Sequence, residues 1–325
     1  RDCYGQWVSC DSTSAKTFSA VAYYFGKELH WELDIPIGLI HVSWGGSTAQ
    51  AWINEQILAS APEGQYYIDL FKEQIENTRP GALPRNHRSP SGLYNAMLKP
   101  LIPFGIKGAI WYQGESNRDR PDYYEAIVSL LIKNWRTEWN QGDFPFYFVQ
   151  IAPYNYNEED MGGFTRDAQR KTLKVPNTGM AVTMDIGNPD NIHPTNKRTV
   201  GKRLALWALT QDYGYKNLSY SGPLFESLEI KGGKAIISFT HTDGGLRAGG
   251  SPLTHFEIAG KDQIFYPAQA KIKGKKIVVS SKMVPEPLAV RFAFHNTDEP
   301  NLFNKAGLPA SSFRTDDWPI FDDQE

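Results

Sequence analysis

With 325 residues, 41% of them apolar and 13% aromatic, the chain can build one large globular core and a smaller second one. Its 34 basic and 36 acidic side chains leave a formal net charge of −2 with no basic stripe, which argues against nucleic acid as a partner. The longest apolar runs, "IPIGLIHV" and "FPFYFVQIAP", are of strand length and broken by Pro or Gly, well short of the roughly 20 residues a membrane helix needs.

The chain opens with "RDCYGQWVSC", which holds both cysteines, Cys3 and Cys10. A disulfide and two free thiols are equally open from the spacing. The opening has no initiator Met, charged n-region or apolar h-region, and it reads as a processed or truncated end. The seven histidines are scattered and no Cys/His cluster has zinc spacing, so neither a metal nor any other cofactor is expected.

The apolar spacing of "AVAYYFGKELHWEL" predicts a helix from about Phe18 to Leu33. "IPIGLIHVSWGGS" then reads as a buried strand entering a Gly-rich turn. "SGLYNAMLKPLIPF" begins as helix and stops at Pro100, and "IKGAIWYQGESN" repeats the sequence of strand and polar turn. "DYYEAIVSLLIKNWRTEW" is an amphipathic helix with Tyr124, Ile127, Leu130, Leu131 and Trp135 on one face. "FPFYFVQIAP" and "TGMAVTMDIG" are two further strands, and "NKRTVGKRLALWALTQDYG" is a helix with a basic first turn. Strands alternating with helices predict a three-layer α/β/α domain with a parallel sheet over residues 1–217. From 218 to 325 the texture changes to short alternating segments such as "SLEIKGGKAIISFTH" and "PLAVRFAFHN", which predict a small antiparallel β-rich domain.

Three polar motifs sit where a predicted strand ends, the place where open parallel sheets gather reactive groups. In "DNIHP", His193 is suited to be a general base and Asp190 to orient it. A surface turn with local backbone bonds is the other reading. In "SWGGSTAQAW", Gly45 and Gly46 can point a backbone N–H outward with no Cβ in the way, as an oxyanion hole requires, or can simply precede a helix cap. In "WYQGESN", Gln113 and Asn117 can donate to an oxyanion and Glu115 can orient a base or act as an acid; all three can equally satisfy loop backbone.

In this order, "SWGGSTAQAWI", "GAIWYQGESN" and "DNIHPTNKR" resemble the sialate O-acetylesterase family of carbohydrate esterases, within the SGNH hydrolase superfamily. "FSAVAYYFGKEL", "SGLYNAMLKPLIPFGIKG", "HFEIAGKDQIFYPAQAKI" and "NLFNKAGLPASSFRTDDW" extend the likeness over nearly the whole chain. The resemblance implies His193 as base, Asp190 as its acid and Glu115 as a supporting group that also has a claim to the acid role. It implies an oxyanion hole from Gly45 or Gly46 with Gln113 or Asn117, and a periplasmic or secreted location. The partner would be an acetylated sugar or glycan. Tyr112 is a candidate to stack on the sugar, as are Trp44 and Tyr154, although Trp44 reads more readily as core. Arg88 and Arg166 are candidates to meet a sugar carboxylate, or to pair with loop acids.

One part of the family pattern is missing. The nucleophile is expected in a Gly-Gln-Ser-Asn-Met motif after the first strand, and here "GQW" and "GQY" are the only Gly-Gln pairs. Ser43, Ser47 and Ser116 lie near the presumed site, but each belongs to a motif with another role. The expectation is therefore a serine on an amino-terminal segment or separate chain. Without it, a missing interior strand would leave neighbouring edges and apolar faces open. A catalytically inactive carbohydrate-binding protein, an acetylxylan-type esterase and a glycosidase using Glu115 with Asp190 are the competing readings.

Overall fold

The computed structural model describes residues 4–78, 86–156, 161–250 and 252–321. Cys3 lies outside them, and Cys10 is an exposed free thiol.

A helix begins two residues later than the periodicity predicts: α1 spans Ala20–Leu33, with the Ser19 side chain accepting from the Ala22 N–H. It ends at Asp34, which adopts the left-handed conformation. Two helices the sequence reading did not single out follow, α2 (Glu55–Leu58) and α3 (Pro62–Glu76). Then come β1 (Ala109–Trp111), α4 (Pro121–Trp139), β2 (Phe146–Val149), α5 (Met161–Thr172), β3 (Thr178–Ala181) and α6 (Lys197–Gln211). The strands pair in parallel in the order β1-β2-β3, with Ala109 opposite Phe146 and Phe146 opposite Thr178.

The period-2 geometry of a strand explains the three layers. Along β2, Phe146 and Phe148 pack on one side with Ile127, Leu131 and Trp135 of α4. Tyr147 and Val149 pack on the other with Leu29 of α1 and Leu204 of α6. All four strand residues are buried, which is why "FYFV" is continuously apolar rather than alternating. The crossing of α1 and α6 is close because Gly201 has no side chain: a Cβ there would lie 2.7 Å from that of Tyr24.

All the antiparallel pairing among the described residues falls from Leu224 onward. The strands are β4 (Leu224–Lys231), β5 (Lys234–Thr240), β6 (Leu246–Ala248), β7 (Phe256–Ala259), β8 (Tyr266–Pro267), β9 (Gln269–Lys273), β10 (Lys276–Ser280), β11 (Ala289–Phe292), β12 (Leu302–Asn304) and β13 (Phe313–Arg314). They form sheets of order β4-β5-β10-β9 and β13-β11-β7-β8, plus the pair β12-β6. This part meets the first through α5. Gly162 N donates to Asn296 Oδ1, Arg166 Nη2 to the carbonyls of Ala293 and His295, and Gln150 Nε2 to Ser311 Oγ. Among the described residues no helix is long and apolar enough to cross a membrane.

One predicted element is absent. "IPIGLIHV" forms no strand, and Ile35 and Ile40 are exposed rather than buried. An apolar cavity of about 500 Å³ separates it from β1. Ile37 and Leu39 line one side of the cavity and Ile110 the other, with Phe25 of α1 and Trp139 of α4 on the opposing helical layers. A strand needs a ladder partner, and this segment has none within reach. On β1, the Ala109 N–H donates to Pro145 on the β2 side. Alternation then turns the N–H and C=O of Ile110 away from β2, towards the cavity.

The α5 junction is tight enough to test. A Cβ on Gly163 would lie 1.9 Å from the Phe294 carbonyl oxygen. Gly163→Ala should therefore push α5 off residues 293–296 and cost about 3 kcal/mol of unfolding free energy in urea titrations.

Candidate active site

The carboxyl ends of β1 and β2 are joined by one side chain of α5. Gln169 Nε2 donates to the carbonyls of Gln113 (3.1 Å) and Val149 (3.2 Å), while its Oε1 accepts from Ile151 N–H at 2.9 Å. Gly114 permits this approach, since a Cβ there would sit 2.9 Å from Gln169 Nε2 and 2.7 Å from an Ile151 methyl. "QGESN" thus leaves the strand as a buried turn rather than a free loop.

Buried polar bonds fasten that turn to the glycine turn. Gln113 Nε2 donates to the Ser47 carbonyl (3.1 Å) and to Asn117 Oδ1 (2.8 Å), and Tyr124 Oη–H lies 2.8 Å from the Gln113 backbone carbonyl and 3.1 Å from its Oε1. Asn117 Oδ1 also accepts from Ala49 N–H, and its Nδ2 donates to Gln50 Oε1. Both hydrogens of Gln113 Nε2 are committed in this arrangement. Its side chain, expected as an oxyanion donor, here braces the two turns, as does that of the buried Asn117. The exposed backbone N–H groups of Gly45 and Gly46 donate to no backbone or side-chain acceptor among the described residues. Gly46 has φ +72°, a conformation that favours glycine.

The third motif hangs from α6 and β3. Arg203 grips Asp185 with a two-point pair at 2.6 and 2.7 Å and also donates to the Val182 carbonyl, fixing the start of the loop that follows β3. Asn155 N–H donates to the Pro189 carbonyl. Asp190 N–H is held by Asn188 Oδ1 and His193 N–H by Asn191 Oδ1, each at 2.9 Å. These are the local turn bonds that the sequence left open as an alternative. Both side chains are exposed, and no hydrogen bond or ion pair joins the Asp190 carboxylate to the His193 imidazole.

Glu115 lies among several charged groups at these strand ends. Burial pushes its carboxyl above the ordinary range, against its own backbone N–H and the opposing charges of Lys197, His193 and Arg118. Lys197 is itself held below its usual range by burial, opposed by Glu115, and its Nζ lies 4.9 Å from the centroid of the Tyr112 ring. Arg118 stacks over Tyr156 with its guanidinium carbon 3.5 Å from the ring centroid. Lys197, Arg118 and Tyr156 were missed by sequence reasoning. The signal for Lys197 was present: a cation in the first turn of a helix opposes the macrodipole, and the carboxylate it faces offsets that.

The remaining candidates divide. Tyr112 is half-buried at this cluster. Arg88 is exposed beside the glycine turn, with Nε donating to the Gly46 carbonyl at 3.2 Å. Arg166, a candidate for a substrate carboxylate or for loop acids, is 0% exposed and ties α5 to residues 293–295. Trp44, read more readily as core, is 53% exposed. Ser43 Oγ lies 2.6 Å from His41 Nε2, and buried Ser47 accepts from Trp52 Nε1, so each hydroxyl has a local partner. Among the described residues no group of three or more His, Cys, Asp or Glu side chains is placed to hold a metal ion.

A glycine turn, a half-buried glutamate and a histidine lie at the strand ends of a parallel sheet, the place where open α/β sheets gather their ligand sites. The family model of carbohydrate esterases described as sialic acid-specific acetylesterase matches residues 8–210, and the chain belongs to that family. It is 35% identical to the human sialate O-acetylesterase over 249 residues, which is 70% of this chain and 45% of that protein. The mouse sialate O-acetylesterase is 33% identical over 259 residues, covering 69% and 48% of the two. The crystal structure of a carbohydrate acetylesterase from Xanthomonas citri superposes with a TM-score of 0.86 at 38% identity, over 97% of this chain and 69% of that one. The chain thus spans about half the length of the curated relatives it matches.

The balance at Glu115 has a measurable consequence. Its folded-state carboxyl holds the proton more tightly than in the unfolded chain, so its contribution to stability declines as pH rises from about 4.3, the ordinary Glu value, through the higher folded one. Carbon-detected NMR should show Glu115 titrating above ordinary glutamates. Lys197→Met, which removes a cation favouring the carboxylate, should move that titration further up.

Proposed function

We propose that this chain forms part of a serine-type carbohydrate O-acetylesterase acting on acetylated sugars, with O-acetylated sialic acid as the leading substrate. The observation that carries the reading is the meeting at one set of strand ends of two unoccupied glycine N–H groups with Glu115 and His193. In this reading the acetyl carbonyl lies against the Gly45 and Gly46 N–H groups, which hold the oxyanion as it develops. A serine hydroxyl attacks the carbonyl carbon and His193 takes its proton. Collapse expels the sugar oxygen, which receives that proton, and leaves an acetyl-serine. Water, deprotonated by His193, then releases acetate and restores the serine. Residues 1–217 would carry this chemistry, and residues 218–325 would buttress α5. The family resemblance favours a periplasmic or secreted setting.

Two carboxylates compete to stabilise the imidazolium. Asp190 has the expected sequence position, whereas Glu115 already interacts electrostatically with His193, which favours Glu115. In the catalytically complete protein, Glu115→Gln should therefore lower kcat more than Asp190→Asn.

We place the serine outside these 325 residues, on a segment seated as a strand in the cavity beside β1. The open Ile110 backbone and the apolar walls on both helical layers support that placement. Ser47 is buried and accepts from Trp52 Nε1, which argues against it as the nucleophile. The purified 325-residue chain should show no hydrolysis of p-nitrophenyl acetate above background. A longer form that includes the strand should hydrolyse it, and His193→Ala should then lower kcat by roughly 10²–10⁴-fold. Turnover by the short chain that is abolished by Ser43→Ala, Ser47→Ala or Ser116→Ala would instead place the nucleophile within it.

A further inference from the structure

The exposed Trp44 is unusual for so large an apolar side chain, and it is not mobile decoration. Its ring lies nearly parallel to that of His87, at 14° and 6.3 Å between centroids. The loop that carries His87 is built rather than loose. Arg88 N–H donates to Asn86 Oδ1 and Asn86 N–H to Ser89 Oγ. Thr48 Oγ1 donates to the Arg88 carbonyl, and Ser91 N–H to that of Gln50. Gly46 lies directly against the loop, since a Cβ there would come 3.4 Å from His87 Nε2.

Arg88 completes this shelf. Its Nε is spent on the Gly46 carbonyl, which fixes the plane of the guanidinium. Its two Nη groups make no hydrogen bond and no ion pair among the described residues. A fork of guanidinium donors in fixed orientation matches the two oxygens of a carboxylate. The same glycine turn is bonded to Gln113 through the Ser47 carbonyl, so the shelf and the Glu115 cluster share one short segment. Consecutive Cα atoms are about 3.8 Å apart. A sugar whose acetyl carbonyl rests on the Gly45 or Gly46 N–H is therefore within one ring's width of Trp44.

We propose that Trp44, His87 and Arg88 form a subsite for an acidic pyranose: the Trp44 face, backed by His87, takes the C–H face of the sugar ring, and Arg88 pairs with its carboxylate. The proposal rests on the carbohydrate reading above and adds to it the residues that would favour an acidic sugar over a neutral one. Ring stacking alone would accept either kind, because every pyranose has an apolar face. The carboxylate preference belongs to Arg88.

Binding tests this without turnover and so does not depend on the nucleophile. The probes are N-acetylneuraminic acid, its methyl ester, which keeps the shape and removes the charge, and methyl xyloside. NMR titrations of the 325-residue chain should give a Kd for the acid at least tenfold below that of the ester. Arg88→Gln should bring the two together and Arg88→Lys should restore only part of the difference. Trp44→Ala should weaken all three sugars. Equal affinity for acid and ester in the unaltered chain, persistence of the difference in Arg88→Gln, or no detectable sugar binding would each overturn the proposal. If the affinity difference appears but the longer form hydrolyses no acetyl ester, the subsite stands and the esterase reading falls. If the longer form is an esterase and the affinities are equal, the reverse holds.

Discussion

A parallel sheet cannot leave an interior edge open without consequence, and much of this structure follows from that constraint. Among the described residues β1 is paired only with β2, and the Ile110 backbone groups turn towards a cavity. The apolar side chains of α1, α4 and the 35–42 segment face the same cavity. Seating one strand there would satisfy the exposed edge and bury several aliphatic side chains, each worth about 2 kcal/mol. Ile35 and Ile40, exposed in a segment whose composition suits a strand, line the same cavity.

Where the sheet is paired, polar side chains rather than apolar ones set the geometry of the site. Gln169 joins the ends of β1 and β2, Gln113 and Asn117 join "QGESN" to the glycine turn, and Arg203 with Asp185 fixes the loop after β3. Each of these bonds is buried or partly buried, where an unmet donor or acceptor costs about 1–3 kcal/mol. Such a network stays in one arrangement, and it holds the Gly45 and Gly46 N–H groups and Glu115 against the same scaffold. The buried Glu115 carboxylate is the destabilising element of the site, and the cations of Lys197 and Arg118 offset it only in part. A carboxylate kept under that tension near a histidine is a common sign of a functional group.

Much of the fold was legible beforehand. The 3.6-residue periodicity of "DYYEAIVSLLIKNW" and the unbroken apolarity of "FPFYFV" report burial on one face and on two faces respectively, which is local information. The helix α5 was not singled out. Its sequence "MGGFTRDAQRKT" starts with two glycines and is polar, because it packs through close backbone approach and buried Arg166, Asp167 and Gln169 instead of an aliphatic stripe. Candidate site residues were legible as residue types, but their roles were not. Nothing in "QGESN" says that Gln113 and Asn117 spend their amides on the turn 66 to 68 residues earlier. Arg166 and Trp44 also exchanged places with expectation, the charged residue buried and the aromatic one exposed.

By itself, the sequence determined the α/β alternation, the later change to antiparallel β-structure, and the three polar motifs that carry the family likeness. Those properties depend on neighbours a few residues apart, or on motifs whose order survives in one dimension. Tertiary structure alone decided that the Gln113 and Asn117 amides bond to the glycine turn, that Glu115 sits among Lys197, His193 and Arg118, and that "IPIGLIHV" pairs with no strand among the described residues. Each depends on partners distant in the chain, since burial, hydrogen-bond satisfaction and strand pairing are properties of what surrounds a residue in space.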